Sequence, residues 1–331
     1  MIVVVTLDPA VHVSYETKRI VPGQSHPVGR VTYRAGGRGP AVARMLHTFG
    51  HEVVAAGLTG GTAGELIKAE LSRVGVPTQF TPIAMESRRV VEVTDVSTGT
   101  TTSFAEPSPF ITTEELGRLA ADYRALIEGA SGAVLCGGVP DALPPETFAT
   151  FATYAAEAGV PVVLDAGGSA LAHGVARRPA LVIPEYPSGE YPSGEYPSGE
   201  DSSGEDPGRP AEMVAAGVGA VVTMSGSAVT VLTGEQEWRA RLDGSLPGQP
   251  GGGPSGRPEP GPRMSRDALV AGFVPGVTLG WSWPDSLRHA VSLAATAGLS
   301  GRVDLVTYER LLPEVAVESV VGAKAQAQGA P

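Results

Sequence analysis

The chain has 331 residues, 42% of them apolar, with a mean hydropathy of +0.06 and a net charge of −11, which is the composition of a globular chain with a sizeable core. Its longest apolar runs are too short to span a bilayer, which argues against a membrane protein. No basic stripe marks a nucleic-acid binder.

Residues 2–7 are apolar and β-branched, a buried strand stopped by Asp8-Pro9. This N-terminus has no basic region and no small-residue cleavage site, so it does not read as a signal peptide, and a cytoplasmic chain is expected. In residues 13–35, Val13, Tyr15, Val28, Val31 and Tyr33 are spread among polar residues, as in exposed antiparallel strands of a lid. Ala35-Gly-Gly-Arg-Gly39 then leads into a helical pattern of Ala41, Val42, Met45, Leu46 and Phe49, ended by Gly50. A strand is expected over Val53–Leu58, a glycine-rich turn over Thr59–Gly64, and a helix from about Glu65 to Arg73. Arg88 to Asp95 alternates polar and apolar residues and, with Thr100–Phe104, predicts a hairpin around Ser97-Thr-Gly99. This hairpin (88–105) is placed in the same lid as residues 13–35.

Further on, Thr112-Thr113-Glu114-Glu115 predicts a helix start, with the helix reaching about Ile127. Ala133–Cys136 reads as a short buried strand, and its lone Cys136 as a buried thiol that can form no internal disulfide. Helix over Pro145–Ala158, strand over Val160–Leu164 and strand over Leu181–Ile183 follow. This alternation predicts a parallel sheet covered by helices. Ligands of such sheets bind beyond the C-terminal strand ends, where Asp8, Gly57, Gly137 and Asp165 fall, although turn chemistry alone also places such residues there.

Residues 185–199 repeat Glu-Tyr-Pro-Ser-Gly three times, and Glu200–Gly204 is a decayed copy. Residues 185–206 carry seven acids and no base; without them the net charge is −4. A Pro and a Gly every five residues forbid a helix, so a flexible acidic loop is expected. Strands are expected over Ala216–Thr223 and from Val229, and an irregular Gly/Pro-rich loop over residues 242–262. Ser265-Arg266-Asp267 precedes the apolar segment Ala268–Val274. That is a capped helix start whose free N–H groups suit an anion, and Asp267 beside it could act as a base on a hydroxyl. Pro275 should interrupt this helix. A helix from Trp283 to about Ala297, a short one near Tyr308–Leu312 and a loose tail over 321–331 complete the chain.

In order along residues 1 to about 315, several stretches resemble the PfkB (ribokinase-like) carbohydrate kinases. Ala35-Gly-Gly-Arg-Gly-Pro-Ala-Val-Ala-Arg44 is similar to their first signature, Gly-Gly-Lys-Gly-x-Asn-x-Ala-Arg. Arg266-Asp267-Ala-Leu-Val-Ala-Gly-Phe273 is similar to the second, Gly-Ala-Gly-Asp-x-Phe-x-Ala-Gly-Phe. Thr6–Ala10, Glu86–Arg89, Phe104–Pro107 and Gly137–Pro140 resemble the 1-phosphofructokinase branch.

The resemblance implies a single α/β domain over residues 1–320: a three-layer α/β/α sandwich with a mostly parallel central sheet and a small β lid. It implies transfer of phosphate from ATP, with Mg²⁺, to a phosphorylated ketohexose such as fructose 1-phosphate. Asp267 would be the catalytic base, and Ser265 and Arg266 would border the anion hole. His12, Gly36, Gly37, Arg38 and Arg88 would bind the substrate, Arg88 at its existing phosphate, and Thr223, Ser225 and Gly226 would lie by the nucleotide. A homodimer through the lid is the analogy for assembly.

The sequence departs from the family at polar positions. Met264-Ser265-Arg266 replaces Gly-Ala-Gly. His12 replaces the acid after Asn-Pro-Ala-Leu, and Ala41 the signature Asn. Ile183-Pro-Glu185-Tyr-Pro-Ser188 replaces the magnesium-organising Lys-Pro-Asn-x-x-Glu, and Ser225-Gly-Ser-Ala228 the nucleotide-loop Gly-x-x-Gly. Arg266 could supply charge to a phosphate or fill the hole. Two functions stay open, a phosphosugar kinase of weak activity and a pseudokinase that binds a sugar phosphate or nucleotide as a regulatory protein; a third, a kinase for an unphosphorylated sugar or nucleoside, ranks below them because Arg88-Arg89 favours a phosphate.

Overall fold

A computed structural model describes residues 1–185, 209–242, 264–300 and 303–320. The acidic repeat beyond Glu185, the Gly/Pro-rich stretch over 243–262 and the tail from 321 lie outside the described residues. The chain divides into two compact units, Met1–Ala130 with Leu135–Thr147, and Ser131–Val134 with Phe148–Pro331.

The first unit opens with β1 (Ile2–Thr6), β2 (Ala10–Thr17), β3 (Arg30–Gly36), α1 (Arg38–Thr48), β4 (Val53–Thr59) and α2 (Gly61–Arg73). It continues with β5 (Thr78–Pro82), β6 (Arg89–Asp95), β7 (Thr100–Ala105) and α3 (Thr113–Ile127). Its apolar strands β1 and β4 run parallel from Ile2↔Val53 to Thr6↔Gly57, and β4 runs parallel to β5. Every residue of β1 and β4 is buried, as continuous apolar runs in a covered parallel sheet require.

The expected lid strands form a separate four-stranded sheet in the order β3-β2-β6-β7. β2–β3 and β6–β7 are antiparallel hairpins, whereas β2 and β6 pair in parallel, with Val11 opposite Arg89. The expected start of α3 is a capping box: the Thr112 hydroxyl accepts from Glu115 N, and the Glu115 carboxylate accepts from Thr112 N.

The boundary between units falls within β8 (Gly132–Cys136), and α4 (Thr147–Glu157) follows it. Cys136 is buried, as expected, and its thiol lies 3.7 Å from the Val5 carbonyl.

The second unit holds β9 (Val162–Gly167), α5 (Gly168–Val175), β10 (Leu181–Glu185), α6 (Pro210–Ala215), β11 (Ala220–Ser225) and β12 (Ala228–Thr233). After them come β13 (Glu237–Leu242), α7 (Arg266–Leu279), α8 (Trp283–Ser300), α9 (Leu305–Leu311) and β14 (Val315–Val320). β9, β10 and β11 pair in parallel; β11 through β14 continue as antiparallel neighbours. The fold is thus the mixed α/β, ribokinase-like architecture expected, with mostly parallel core strands flanked by helices. Among the described residues no helix is long and apolar enough to cross a membrane.

One expectation is corrected. Pro275 does not interrupt its helix: α7 runs unbroken from Arg266 to Leu279 and ends at Gly280, whose φ of 68° makes the left-handed cap. Proline removes one backbone donor, but tertiary packing outweighs that loss when a helix is buried over most of its length. α7 is buried from Ala268 to Gly276. A Cβ at Gly272 would stand 2.4 Å from Ala290 Cα, and one at Gly276 would stand 2.1 Å from Ser286 Oγ. These glycines let α7 lie directly against α8, which holds the helix through the proline.

Candidate functional site

The first unit gathers one polar group. Thr6 ends β1, and Asp8-Pro9 turns the chain into β2, which carries His12. β3 ends at Gly36, and Gly37 is the N-cap of α1 at φ 90°, a conformation that favours glycine. The segment is clamped from behind: Arg44 Nη1 donates to the Ala35 carbonyl (2.7 Å) and pairs with Glu70 (3.3 Å).

The His12 ring lies against Gly36, where an added Cβ would come within 2.0 Å of Cδ2. Gly37 lies in ordinary contact with the turn, since a Cβ there would lie 3.4 Å from Pro9 Cα and 3.7 Å from the Asp8 carbonyl oxygen. The predicted substrate residues His12, Gly36 and Gly37 are therefore neighbours, with Arg38 following in the first turn of α1.

Arg88 joins them at the start of β6, its carbonyl accepting from Val11 N at 3.0 Å. Its Nε is 2.7 Å from Asp8 Oδ2, which also accepts from the Ser108 hydroxyl at 2.8 Å. Arg88 Nε nonetheless makes no directed hydrogen bond, and the buried Asp8 Oδ1 has none. A buried polar atom without a partner costs about 1–3 kcal/mol.

Burial lowers the pKa of His12; the Glu92 carboxylate opposes this, while the Arg88 and Arg44 charges reinforce it. The net effect favours a neutral imidazole.

The second unit holds the other predicted group, at the start of α7. Ser265 is the N-cap: its hydroxyl accepts from Ala268 N (3.4 Å), and its own N–H donates to the Ala294 carbonyl on α8 (3.0 Å). Asp267 sits in the first turn, where a carboxylate complements the helix dipole. Arg266 turns back onto the strand ends. Its Nη2 and Nε donate to Asp165 Oδ1 at 2.6 and 3.0 Å, and Nη2 also donates to the Ile183 carbonyl at 2.7 Å. Asp165 is fully buried at β9 and pairs across the ladder with Ile183 of β10. The Arg266 guanidinium is thus held by acceptors of the protein itself.

Thr223, Ser225 and Gly226 belong to a different element, the β11–β12 hairpin. Ser225 faces Ala228 across a two-residue turn whose first residue is Gly226 at φ 58°, as in a II′ hairpin. The turn alone therefore accounts for Gly226.

Three further polar residues join these groups, Asp8 and Ser108 beside Arg88 and Asp165 beside Arg266; the sequence placed Asp8 and Asp165 at ligand-side strand ends but paired neither with its arginine, and it did not single out Ser108. The first could have been suspected because an acid stands two residues after Thr6, in the same stretch where His12 replaces one. The second needed the tertiary fold, since Asp165 and Arg266 are 101 residues apart.

Residues 1–186 match the model of the pfkB family carbohydrate kinases. Among solved structures, the chain resembles a possible 1-phosphofructokinase of Thermotoga maritima, with 20% identity and a TM-score of 0.78 over 97% of this chain and 99% of that one. It also resembles Escherichia coli phosphofructokinase-2 solved with fructose-6-phosphate, at 19% identity and a TM-score of 0.73, covering 95% and 98% of the two chains. A carbohydrate kinase from Agrobacterium tumefaciens matches at 16% identity and a TM-score of 0.69, covering 96% and 99%. At these identities the structural likeness speaks for the fold alone.

Proposed function

Because this chain belongs to the pfkB family of carbohydrate kinases, we propose that it binds a phosphorylated ketohexose such as fructose 1-phosphate and phosphorylates it slowly from MgATP. The observation that carries the substrate class is Arg88. A guanidinium held beside the Gly36-Gly37 turn and His12 suits an anionic sugar, since its fork matches phosphate geometry. Escherichia coli phosphofructokinase-2, solved with fructose-6-phosphate, is a protein of like fold with a ligand of this class.

In this reading Asp267 takes the proton of the attacking hydroxyl, and the first-turn N–H groups of α7 face the transferred phosphate. Thr223 and Ser225 contact the nucleotide. Magnesium enters on the phosphates of the nucleotide. Among the described residues no group of three or more potential metal ligands gathers, and magnesium on a nucleotide needs only one or two protein carboxylates beside the phosphates.

A second reading, a pseudokinase that binds without turning over, is favoured by one observation. Arg266 is spent on Asp165 and Ile183 at the very helix start where the family has glycines. Losing anion-hole donors typically costs about 2.7–4 kcal/mol of transition-state stabilisation. For assembly, Escherichia coli phosphofructokinase-2 is known in a tetrameric inhibited form. A homodimer through the lid sheet is the arrangement we favour here, with Val31, Tyr33 and Phe104 exposed on it.

The test is a coupled assay with MgATP and several ketose phosphates. Slow turnover abolished by Asp267→Asn supports the kinase. Undetectable turnover, with a rise in melting temperature on adding sugar phosphate or ATP, supports the pseudokinase.

A further inference from the structure

We infer that Asp8 is the hydroxyl acceptor for the bound sugar phosphate, and that Asp8 and Arg88 together read a hydroxyl and a phosphate of one ligand. The inference rests on the sugar-phosphate reading above and names a residue which that reading does not use.

Four observations lead to it. The two carboxylate oxygens of Asp8 are treated differently. Oδ2 accepts from Ser108 and lies against Arg88, while Oδ1 is buried and makes no hydrogen bond. An ionised carboxylate is acceptor-only, so Oδ1 calls for a donor, and a hydroxyl is the donor a sugar brings.

The second observation is location. The Asp8-Pro9 turn is packed against Gly37, within 3.4–3.7 Å of where a Cβ would stand, and the glycine next to it carries the His12 ring. Asp8 thus borders the backbone turn that the sugar would approach.

The third is the state of His12. His12 stands against Gly36 at this turn, but burial and the Arg88 and Arg44 charges hold it toward the neutral form despite Glu92. A neutral imidazole pressed on Gly36 is a poor substitute for an anionic acceptor. The carboxylate of Asp8, four residues earlier and at the same turn, supplies what position 12 lacks.

The fourth is the geometry of Arg88. Its Nε is 2.7 Å from Asp8 Oδ2 without a directed hydrogen bond, and no described residue accepts from its Nη nitrogens. The pair is held by charge while both partners keep hydrogen-bonding capacity: Oδ1 for a hydroxyl and the Nη fork for a phosphate.

The experiment uses the full chain and isothermal titration with fructose 1-phosphate and, separately, inorganic phosphate. Asp8→Asn keeps the side-chain shape and removes the charge. The expected result is at least a tenfold loss of affinity for fructose 1-phosphate, with inorganic phosphate bound as well as before or more tightly, because Arg88 has lost its internal counter-charge. Arg88→Gln should weaken both ligands.

Unchanged fructose 1-phosphate binding in Asp8→Asn overturns the inference and leaves the sugar-phosphate reading standing. Equal loss of both ligands also overturns it, since Asp8 would then only hold Arg88 in place. If the wild-type chain binds neither ligand, the sugar-phosphate reading itself falls, and the inference with it. Should Asp8→Asn fail to give a cooperative melt, the wild-type chain is titrated with a series of monodeoxy fructose 1-phosphates. At least one should bind tenfold more weakly than the parent, and equal binding of all of them overturns the inference.

Discussion

Arg266 and Asp165, 101 residues apart, form an ion pair in which both Nη2 and Nε of the guanidinium converge on Oδ1. Asp165 is fully buried, and the Arg266 side chain is 17% exposed. Removing one partner of such a pair leaves an uncompensated buried charge, at a cost of about 3–5 kcal/mol. Arg266→Gly is therefore expected to lower stability by an amount in that range in urea denaturation. Arg266→Gly with Asp165→Asn should recover a large part of the loss, because no bare carboxylate remains. Strictly additive effects of the two substitutions would show that the pair is not coupled.

The framework was legible because its signals are local. The apolar runs of β1 and β4, the Thr112/Glu115 capping box and the Ser97-Thr98-Gly99 hairpin turn each specify their own conformation. Elements whose signals are short or divided were not read. β5 is a polar edge strand ending in proline, α5 begins with a glycine, and β14 carries no sustained alternation, whereas β13 alternates over Glu237–Leu242 and was overlooked. Pro275 was misread because local propensity was set against a burial that only the packing on α8 reveals. At the candidate site, motif order brought His12, Gly36, Gly37 and Arg88 to one place. The carboxylates that neutralise Arg88 and Arg266 come from strand ends that sequence spacing does not connect.

Gly36 shows the same dependence on a distant neighbour. An alanine Cβ would sit 2.0 Å from His12 Cδ2, far inside contact distance. Gly36→Ala should therefore displace the imidazole and lower stability by about 1–3 kcal/mol. His12→Ala vacates that space, so the double variant His12→Ala/Gly36→Ala should be more stable than Gly36→Ala alone. Thermal melts of the three variants decide this; no rescue would mean that the backbone, not the ring, rejects the methyl group.

The α7–α8 contact predicts a stricter rule at Gly272. Here the added Cβ meets backbone, Ala290 Cα at 2.4 Å, which cannot rotate away as a side chain can. Gly272→Ala gains helix propensity of about 0.8–1 kcal/mol, yet it should still lower the melting midpoint because the two helices must separate. A variant as stable as wild type would show that α7 is free to shift on α8.

Asp95 organises the β6–β7 turn and carries a pH signature. Its Oδ2 accepts from Ile20 N (2.8 Å), and its Oδ1 from the Ser97 hydroxyl (2.7 Å), Ser97 N (2.9 Å) and Thr98 N (3.3 Å). These donors, Ile20 N foremost, favour the ionised carboxyl and lower its pKa from 3.8 to about 2. Since the folded value lies below the unfolded one, the unfolded chain binds more protons between them, and stability rises with pH across that interval. The contribution is complete above about pH 4 and is lost as pH falls from 3.8 toward 2. Asp95→Asn deletes the titrating group and sets an amide against donors that need an acceptor. Its unfolding free energy, followed by urea denaturation at steps from pH 6 to pH 2, should start below that of wild type. The gap should then narrow below pH 4 as the wild-type carboxyl becomes protonated. A gap that stays constant down to pH 2 would mean that the β6–β7 turn does not depend on the charge of Asp95.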